Sequence, residues 1–316
     1  MIVIILSIGV DRMRSIQSLF VEWLLVLTKK KLNVEGYLEE RRMANQLPYV
    51  LPEKLKKKYH ITKSSAFSVD TYMLKSDVQP DDHQVLFLHG GGYIEQPLVW
   101  HWRFLDRLTK QLNSTVYVPV YPKAPNHQYM DAIESVLPVY QALLEKGIPE
   151  KIVIMGDSAG GGLSLAFAQY LAKKGLPQPG NMILLSPWLD VTLSNPDIAK
   201  MVPKEPMLNL DLLIESGKAY AGDTDETHHL ISPIYGEIKS LGRISVFIGT
   251  HEFFLPDARK FKEMADKQGV PINYIEYPKM NHVFPVFPIP EANQALKQIV
   301  AIIESKTFPL RDIDSL

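Results

Sequence analysis

A serine flanked by small residues lies within residues 156–160, which read Gly-Asp-Ser-Ala-Gly. The segment follows the apolar run 151–155 and precedes a run of small and apolar residues at 161–168, so the pattern predicts a strand, a tight turn and a helix. Small flanking residues let the backbone of Ser158 adopt a strained conformation without clashing with the strand or the helix. Such a turn would lift the Ser158 hydroxyl above a sheet, where it could act as a nucleophile.

A glycine-rich stretch at residues 89–92, His-Gly-Gly-Gly, follows the strand-like run 84–88 upstream of that turn. Acyl transfer builds negative charge on the former carbonyl oxygen, and backbone N–H groups must face that position before the reaction begins. Consecutive glycines allow the backbone to approach closely with unusual dihedral angles. We expect an oxyanion hole formed by the N–H groups of Gly91, Gly92 and Ala159. A glycine-rich turn without a catalytic role is the alternative.

A serine nucleophile needs a histidine base, and His282 is the candidate that the chain order selects. In hydrolases with such a turn the order along the chain is serine, acid, histidine. His282 follows the strand-like run 272–277, and it is the only histidine after His251. A loop at the end of a late strand can bring its imidazole over Ser158.

Two carboxylates compete for the role of the acid that orients the histidine. Glu252 lies just past the strand-like run 245–249, where an orienting acid should sit. Asp257 is expected to open a helix at 258–262, and a helix-capping role would explain it. We predict Glu252 as the acid and keep Asp257 as the backup.

The segments between these residues alternate between strand-like and helical patterns, as a parallel sheet with crossover helices requires. Residues 115–120 and 182–185 predict two further strands, and 130–144 predict a helix. A region with scattered prolines and a helical pattern at 208–214 then interrupts the alternation. The sequence predicts one catalytic domain over residues 1–316, with cap elements at about 1–60 and 190–230.

The N-terminus contains two apolar runs, 2–10 and 19–27, with charged residues between them. Neither approaches the roughly 20 residues that a membrane-spanning helix needs. A signal peptide carries positive charge before its apolar stretch, whereas here the charge follows it and no small-residue cleavage site is present. We expect one or two amphipathic helices that cover the substrate cleft, with an interfacial membrane helix as the alternative.

The composition argues against several kinds of chemistry. The 316 residues include 34 Lys and Arg and 35 Asp and Glu, and this formal net charge of −1 gives no sign of a nucleic-acid surface. Because cysteine is absent, disulfides, thiolate chemistry and cysteine-ligated zinc are excluded. No H-E-x-x-H or comparable ligand spacing occurs, so we expect neither a metal nor another cofactor.

The motifs together resemble those of the hormone-sensitive-lipase family of α/β-hydrolases, whose hallmarks are H-G-G-G and G-D-S-A-G. Three further segments resemble the family's Y-x-x-A-P, S-P-W-x-D and H-x-F motifs, namely residues 121–125, 186–190 and 282–284. Two departures stand out. The family usually has Arg-Leu where this chain has Pro122-Lys123, and most often Asp where it has Glu252.

This resemblance implies an α/β-hydrolase fold, with a mostly parallel central sheet flanked by helices and a helical cap. It also implies a carboxylic ester hydrolase without a cofactor, acting on small, uncharged acyl esters, and it suggests a homodimer by analogy. We expect Ser158 to attack the ester carbonyl while His282 takes its proton and Glu252 holds the imidazole, which yields an acyl-enzyme that water hydrolyses. A cytoplasmic location is expected.

Two other functions stay open at this point. One is a membrane-associated lipid hydrolase whose N-terminal segment docks on bilayers, which would make the protein membrane-peripheral. The other is a non-catalytic ligand-binding protein on a hydrolase scaffold. The presence of serine, acid and histidine in the required order favours the enzyme.

Overall fold

The computed structural model describes residues 14–29, 32–76 and 83–305, so the apolar run at 2–10 lies outside the described residues. The described strands form one eight-stranded sheet in the order β1-β2-β4-β3-β5-β6-β7-β8. In chain order these strands are β1 (Thr62–Ser64), β2 (Thr71–Lys75), β3 (Gln84–Leu88), β4 (Thr115–Pro119), β5 (Ile152–Asp157), β6 (Asn181–Leu185), β7 (Arg243–His251) and β8 (Ile272–Asn281).

Strand β2 is antiparallel to both β1 and β4, and every other neighbouring pair is parallel. All residues of β4, β5 and β6 are buried, because helices cover both faces of the sheet. The predicted mostly parallel central sheet is confirmed. Its parallel strands end at one edge, and ligands of open α/β sheets bind outside the carboxyl ends of the strands.

Helices α4 and α9 supply apolar side chains to the core on one face of the sheet. Helices α5, α6 and α8 supply those on the other face, so the predicted flanking helices are confirmed as well. None of the helices in the described part of the chain is long and apolar enough to cross a membrane. The helices are α1 (Ile16–Thr28), α2 (Val34–Ala44), α3 (Glu53–Tyr59), α4 (Val99–Leu112), α5 (Tyr129–Lys146), α6 (Ala159–Lys173), α7 (Leu210–Ala221), α8 (Leu255–Lys267) and α9 (Pro290–Ile303).

The start of α8 differs from the prediction that Asp257 opens a helix at 258–262, and that prediction is wrong. The helix begins at Leu255, and Asp257 already lies inside its first turn. Pro256 explains the earlier start, because proline fits the first turn of a helix, where its missing N–H has no partner to lose. Asp257 is therefore not the residue that caps this helix.

The N-terminal helices are joined to the rest of the fold by polar side chains. In front of α1, the Arg14 guanidinium donates to the carbonyl oxygen of Lys279 at 2.9 Å. The Ser15 hydroxyl donates to Glu291 on α9 at 2.9 Å. On α2, the Arg41 guanidinium donates to the Glu95 carboxylate at 3.0 Å, in the loop that follows the three glycines. Within the predicted cap region at 1–60, α1 is thus joined to β8 and α9, and α2 is joined to the loop that follows the three glycines.

Candidate active site

Ser158 lies between β5 and α6 with backbone angles of φ 54° and ψ −124°, a region that residues other than glycine seldom occupy. Its N–H donates to the carbonyl oxygen of Leu185 on β6 at 2.9 Å. A Cβ atom on Gly160 would lie 1.9 Å from the carbonyl oxygen of Leu88, and one on Gly156 would lie 2.2 Å from the carbonyl oxygen of Gly160. The two glycines are therefore a steric requirement of the turn that presents the serine.

The structure brings Ser158, His282 and Glu252 together at the C-terminal edge of the sheet. The Nε2 atom of His282 lies 2.9 Å from the Ser158 hydroxyl oxygen, and its Nδ1 atom lies 2.8 Å from a carboxylate oxygen of Glu252. All three residues are buried. In the tautomer that suits both contacts, Nδ1–H donates to Glu252 and Nε2 accepts the serine proton. This arrangement can activate a serine nucleophile.

The second oxygen of the Glu252 carboxylate is held by two donors. The Ser186 hydroxyl and the Gly249 N–H each donate to it at 2.8 Å. Ser186 also accepts a hydrogen bond of 3.0 Å from the N–H of Val283, next to His282. The Ser186 hydroxyl, just after β6, thus links the loop that carries Glu252 to the loop that carries His282. Ser186 opens the S-P-W-x-D motif at 186–190, but the motif alone does not reveal this contact with Glu252.

The pKa of His282 reflects two opposing effects. Burial lowers it, because the protonated imidazole loses its hydration. The hydrogen bond to Glu252 and the negative charges of Glu252, Glu205 and Asp157 raise it, and together they place it above the ordinary value for histidine. The surroundings therefore favour the imidazolium, which is the form that a base takes once it has accepted a proton.

Asp257, the backup acid, lies elsewhere. One oxygen of its carboxylate accepts a hydrogen bond of 2.8 Å from the Asn195 side chain, and the other has no partner among the described residues. Burial raises the pKa of Asp257 to about 6. Within the described part of the chain, the carboxylate that contacts His282 is that of Glu252.

Two of the three glycines in the loop after β3 have positive φ angles. Gly91 and Gly92 have φ angles of 116° and 59°, which favour glycine. No turn, loop or cap hydrogen bond among the described residues uses the N–H of Gly91, Gly92 or Ala159. Ala159 is the first residue of α6, so its N–H lies at the positive end of the helix dipole.

A buried polar network holds this loop against the serine turn. The Asp157 carboxylate accepts a hydrogen bond of 2.9 Å from the N–H of Gly90. Its other oxygen lies 3.1 Å from Nε2 of His101 on α4, whose Nδ1 accepts the N–H of Leu98 at 2.9 Å. Because Nδ1 is an acceptor, Nε2–H is the group of His101 that donates to Asp157. The sequence analysis did not single out His101.

The histidine of the glycine-rich stretch has a structural role. The His89 ring stacks on Tyr121 with a centroid distance of 4.4 Å, and its Nδ1 lies 2.8 Å from the carbonyl oxygen of Gly90. Burial lowers the pKa of His89 well below its ordinary value, and the nearby charge of Lys123 acts in the same direction. His89 is thus a neutral ring packed under the loop, away from the Ser158 hydroxyl, which His282 contacts.

These features define a class of protein. A mostly parallel sheet, a strained serine between strand and helix, and a carboxylate and a histidine after the last two strands are the arrangement of an α/β-hydrolase. A family model described as an α/β-hydrolase fold matches residues 85–286. The chain belongs to this family.

Individual relatives narrow the class. An esterase from Acinetobacter venetianus is 33% identical over 227 residues, which are 70% of this chain and 75% of the relative. A Staphylococcus aureus structure assigned as an esterase superposes with a TM-score of 0.83 at 32% identity, covering 90% of this chain and 96% of that one. A hormone-sensitive lipase from a metagenome library superposes with a TM-score of 0.79 at 27% identity, covering 91% and 97%. The resemblance to the hormone-sensitive-lipase family is confirmed, and the chain is a carboxylic ester hydrolase.

Proposed function

We propose that the chain is a serine carboxylesterase that hydrolyses uncharged acyl esters through Ser158, His282 and Glu252. The observation that carries the proposal is the continuous contact from carboxylate to imidazole to hydroxyl, with distances of 2.8 and 2.9 Å. The three groups come from residues 158, 252 and 282, so their convergence is a product of the fold. A complete, buried relay of this kind argues against a protein that only binds its ligand.

In the first half of the reaction, the Ser158 oxygen attacks the ester carbonyl carbon as Nε2 of His282 takes the hydroxyl proton. The carbonyl π electrons move to the oxygen, which becomes an oxyanion facing the N–H groups of Gly91, Gly92 and Ala159. Glu252 accepts from Nδ1–H and stabilises the imidazolium that forms. When the oxyanion collapses, the ester C–O bond breaks and His282 gives its proton to the leaving alcohol.

The second half repeats these steps with water. His282 takes a proton from water as the water oxygen attacks the acyl-enzyme carbonyl, and the second oxyanion occupies the same site. Collapse breaks the bond to the Ser158 oxygen, which regains its proton from His282. The products are the alcohol and the carboxylic acid, and the enzyme returns to its starting state without a cofactor.

Buried aromatic rings pack beside the base, and they support uncharged substrates. Phe254 lies edge-on to the His282 ring at a centroid distance of 5.0 Å and stacks on Trp188 at 5.6 Å. Both rings are fully buried, so they make the surroundings of the base apolar, and a charged acyl or alcohol group would lose its hydration there. We also propose that residues 1–316 form a single catalytic domain whose cap elements lie at about 1–60 and 190–230.

Replacing the nucleophile tests this function. Ser158→Ala should lower kcat/KM for p-nitrophenyl butyrate by about 10⁴-fold or more, because the attacking oxygen is lost. The matched control is Ser135→Ala on α5, where the hydroxyl donates to the carbonyl oxygen of Ala132 and lies outside the site. Circular dichroism should show both variants folded. Full activity in folded Ser158→Ala would overturn the assignment.

A second candidate, a membrane-associated lipid hydrolase, is favoured by one surface. Helix α1 exposes a continuous apolar face, while Ser18 on the same helix is buried. A helix with Trp, Phe and Leu on its outer face suits the interface of a lipid bilayer. The exposed residues of this face are Ile16, Leu19, Phe20, Trp23, Leu24, Val26 and Leu27.

Flotation with lipid vesicles tests this candidate. The full chain should float with vesicles of a neutral and an anionic phospholipid, and a variant with Phe20→Ser and Trp23→Ser should stay in the dense fraction. Equal flotation of the two proteins would exclude the α1 face as the membrane contact. Sedimentation velocity on the same pair reports whether the face instead joins two copies of the chain.

A further inference from the structure

Glu205 is a buried carboxylate of the 190–230 region that lies close to the proposed acid and base. Its side chain is only 4% exposed. One carboxylate oxygen accepts the N–H groups of Met207 and Leu208 at 2.7 and 2.9 Å. The other lies 3.3 Å from the N–H of Phe253 and accepts a hydrogen bond from it. Phe253 directly follows Glu252, so Glu205 holds the backbone immediately behind the proposed acid.

The backbone of Glu205 meets the N-terminal region at the same place. Its carbonyl oxygen accepts a hydrogen bond of 3.0 Å from the ammonium group of Lys29, at the end of α1. Residue 205 therefore joins three parts of the chain: the N-terminal cap helix, the 190–230 region and the loop after β7. The Glu205 side chain accepts a hydrogen bond from the N–H of Phe253. The next residue, Phe254, packs against the His282 ring.

The charged groups at this junction come from several elements. The Lys29 ammonium lies at the Glu205 carbonyl oxygen, and the charges that shift the pKa of the Glu205 carboxyl are those of His282 and Glu252. The acidic groups that raise the pKa of His282 are Glu252, Glu205 and Asp157. Burial raises the pKa of Glu205 above its ordinary value, and the imidazolium charge of His282 together with the N–H groups of Met207 and Leu208 offsets only part of that rise. A second carboxylate so near Glu252 is repelled by it, and the positive charge that offsets this repulsion arises on His282.

This positive charge on His282 is largest in the transition states, when the imidazole has taken the serine or water proton. A fixed negative charge near the imidazole therefore stabilises the transition state more than the resting enzyme. The hydrogen bond to Phe253 gives the carboxylate a second effect, because it limits movement of the backbone that carries Glu252.

We propose that Glu205 is an acidic positioning residue of the catalytic site: it fixes the loop of Glu252 and provides a second negative charge for the imidazolium of His282. This inference rests on the proposed function and deepens it. It makes the 190–230 region part of the catalytic site, because the Glu205 side chain contacts the backbone of that region and the backbone next to Glu252.

The test compares Glu205→Gln, Glu205→Asp and the wild-type enzyme by the pH dependence of kcat and kcat/KM for p-nitrophenyl butyrate. Glu205→Gln loses the charge, so kcat should fall about tenfold or more at its optimum, with KM changed less. The acid limb of kcat/KM should move to lower pH, because the pKa of His282 loses one of its raising charges. Glu215→Gln, on the exposed surface of α7, is the control and should match the wild-type enzyme.

Glu205→Asp keeps the charge while withdrawing the carboxylate from Phe253. Its acid limb should stay near that of the wild-type enzyme while kcat falls, and this decides the question even when Glu205→Gln does not fold. An unchanged kcat in folded Glu205→Gln, or a lower kcat with an unmoved acid limb, would overturn the proposal, as would an Asp variant whose limb moves to lower pH. Ser158→Ala, measured alongside, separates these results from a failure of the proposed function.

Discussion

The edge of the sheet that carries Ser158 and the N-terminal region that we propose as a cap are built in different ways. At the edge, residues 157–159, 186, 252 and 282 lie at or just after strand ends, are buried, and hold one another by side-chain and backbone hydrogen bonds. In the cap, α1 exposes a large apolar face, and α2 has no buried residue. The side chains at the edge are held in place by the core and by one another, whereas the cap is attached to the rest of the fold by a few polar contacts. Changes at the edge should therefore alter the chemical step, and changes in the cap should mainly alter binding.

The largest expected effect separates two carboxylates only five positions apart. Glu252→Gln should lower kcat/KM for p-nitrophenyl butyrate by about 10³–10⁴-fold, because His282 loses the group that sets its tautomer and stabilises its charge. Asp257→Asn should stay within about threefold of the wild-type enzyme, because no hydrogen bond among the described residues joins Asp257 to His282. The measurement is steady-state kinetics on the two folded variants. A larger loss in Asp257→Asn than in Glu252→Gln would transfer the role of the acid.

The parts of this edge that are continuous in the chain can be predicted from the sequence. The serine turn and the glycine loop each lie within five residues, and the steric need for glycine is visible in the pattern itself. The supporting contacts join distant segments instead. Ser186 meets Glu252 across 66 positions, His101 meets Asp157 across 56, and Glu205 meets Phe253 across 48. Only the folded chain shows such pairs, since nothing in one sequence marks which hydroxyl, imidazole or carboxylate will meet a partner.

Element boundaries show a similar division. The strand β3 matches its predicted range at 84–88, because a short apolar run followed by glycines has little freedom. Strand β8 instead continues through Asn281, past the predicted end at 277. Pro278 and Lys279, within this extension, do not belong to a strand pattern, and the pairing of Asn281 with His251 on β7 extends the ladder. Tertiary pairing therefore overrides local preference at the strand that leads to His282.

The next effect tests whether the edge extends to α4. His101→Leu removes the donor to Asp157 and leaves that buried carboxylate with one partner fewer, which disturbs the Gly90 contact and the oxyanion loop. We expect kcat to fall about 10–100-fold, in line with the loss of part of an oxyanion site. His127→Leu, at an exposed position before α5, is the control. A kcat equal to that of the control would show that His101 does not support the oxyanion loop.

A smaller effect is expected where the cap touches the edge. Arg41→Met removes the ion pair with Glu95, whose N–H donates to the carbonyl oxygen of Gly91 at 2.9 Å. Because partly exposed ion pairs contribute about 1 kcal/mol or less, KM should rise about two- to fivefold with kcat nearly unchanged. Arg42→Met, which loses only a surface pair with Glu39, is the matched control. If kcat of Arg41→Met fell as much as that of His101→Leu, the cap would affect the chemical step as strongly as the edge does, which contradicts the comparison.

Replacement of Asp257 should have the smallest effect on activity, because its contact with Asn195 in the 190–230 region affects stability. Burial raises the pKa of this carboxyl to about 6, so protonation stabilises the folded state fully below its ordinary pKa of about 3.8, and this contribution is lost as the pH rises through about 6. Asparagine imitates the neutral form and can still accept the hydrogen bond from Asn195. Asp257→Asn should therefore raise the free energy of unfolding by about 1–3 kcal/mol at pH 7.5.

Urea unfolding at pH 7.5 and 4.5 checks this value, and the advantage of Asp257→Asn should shrink at the lower pH because the wild-type carboxyl is then protonated in the folded state. An equal advantage at both values would show that packing, rather than the buried charge, is responsible. A loss of stability at pH 7.5 would mean that the ionised carboxylate is needed to hold Asn195. In that case the cap would depend on buried charge at this point, as we propose for the catalytic edge at Glu205.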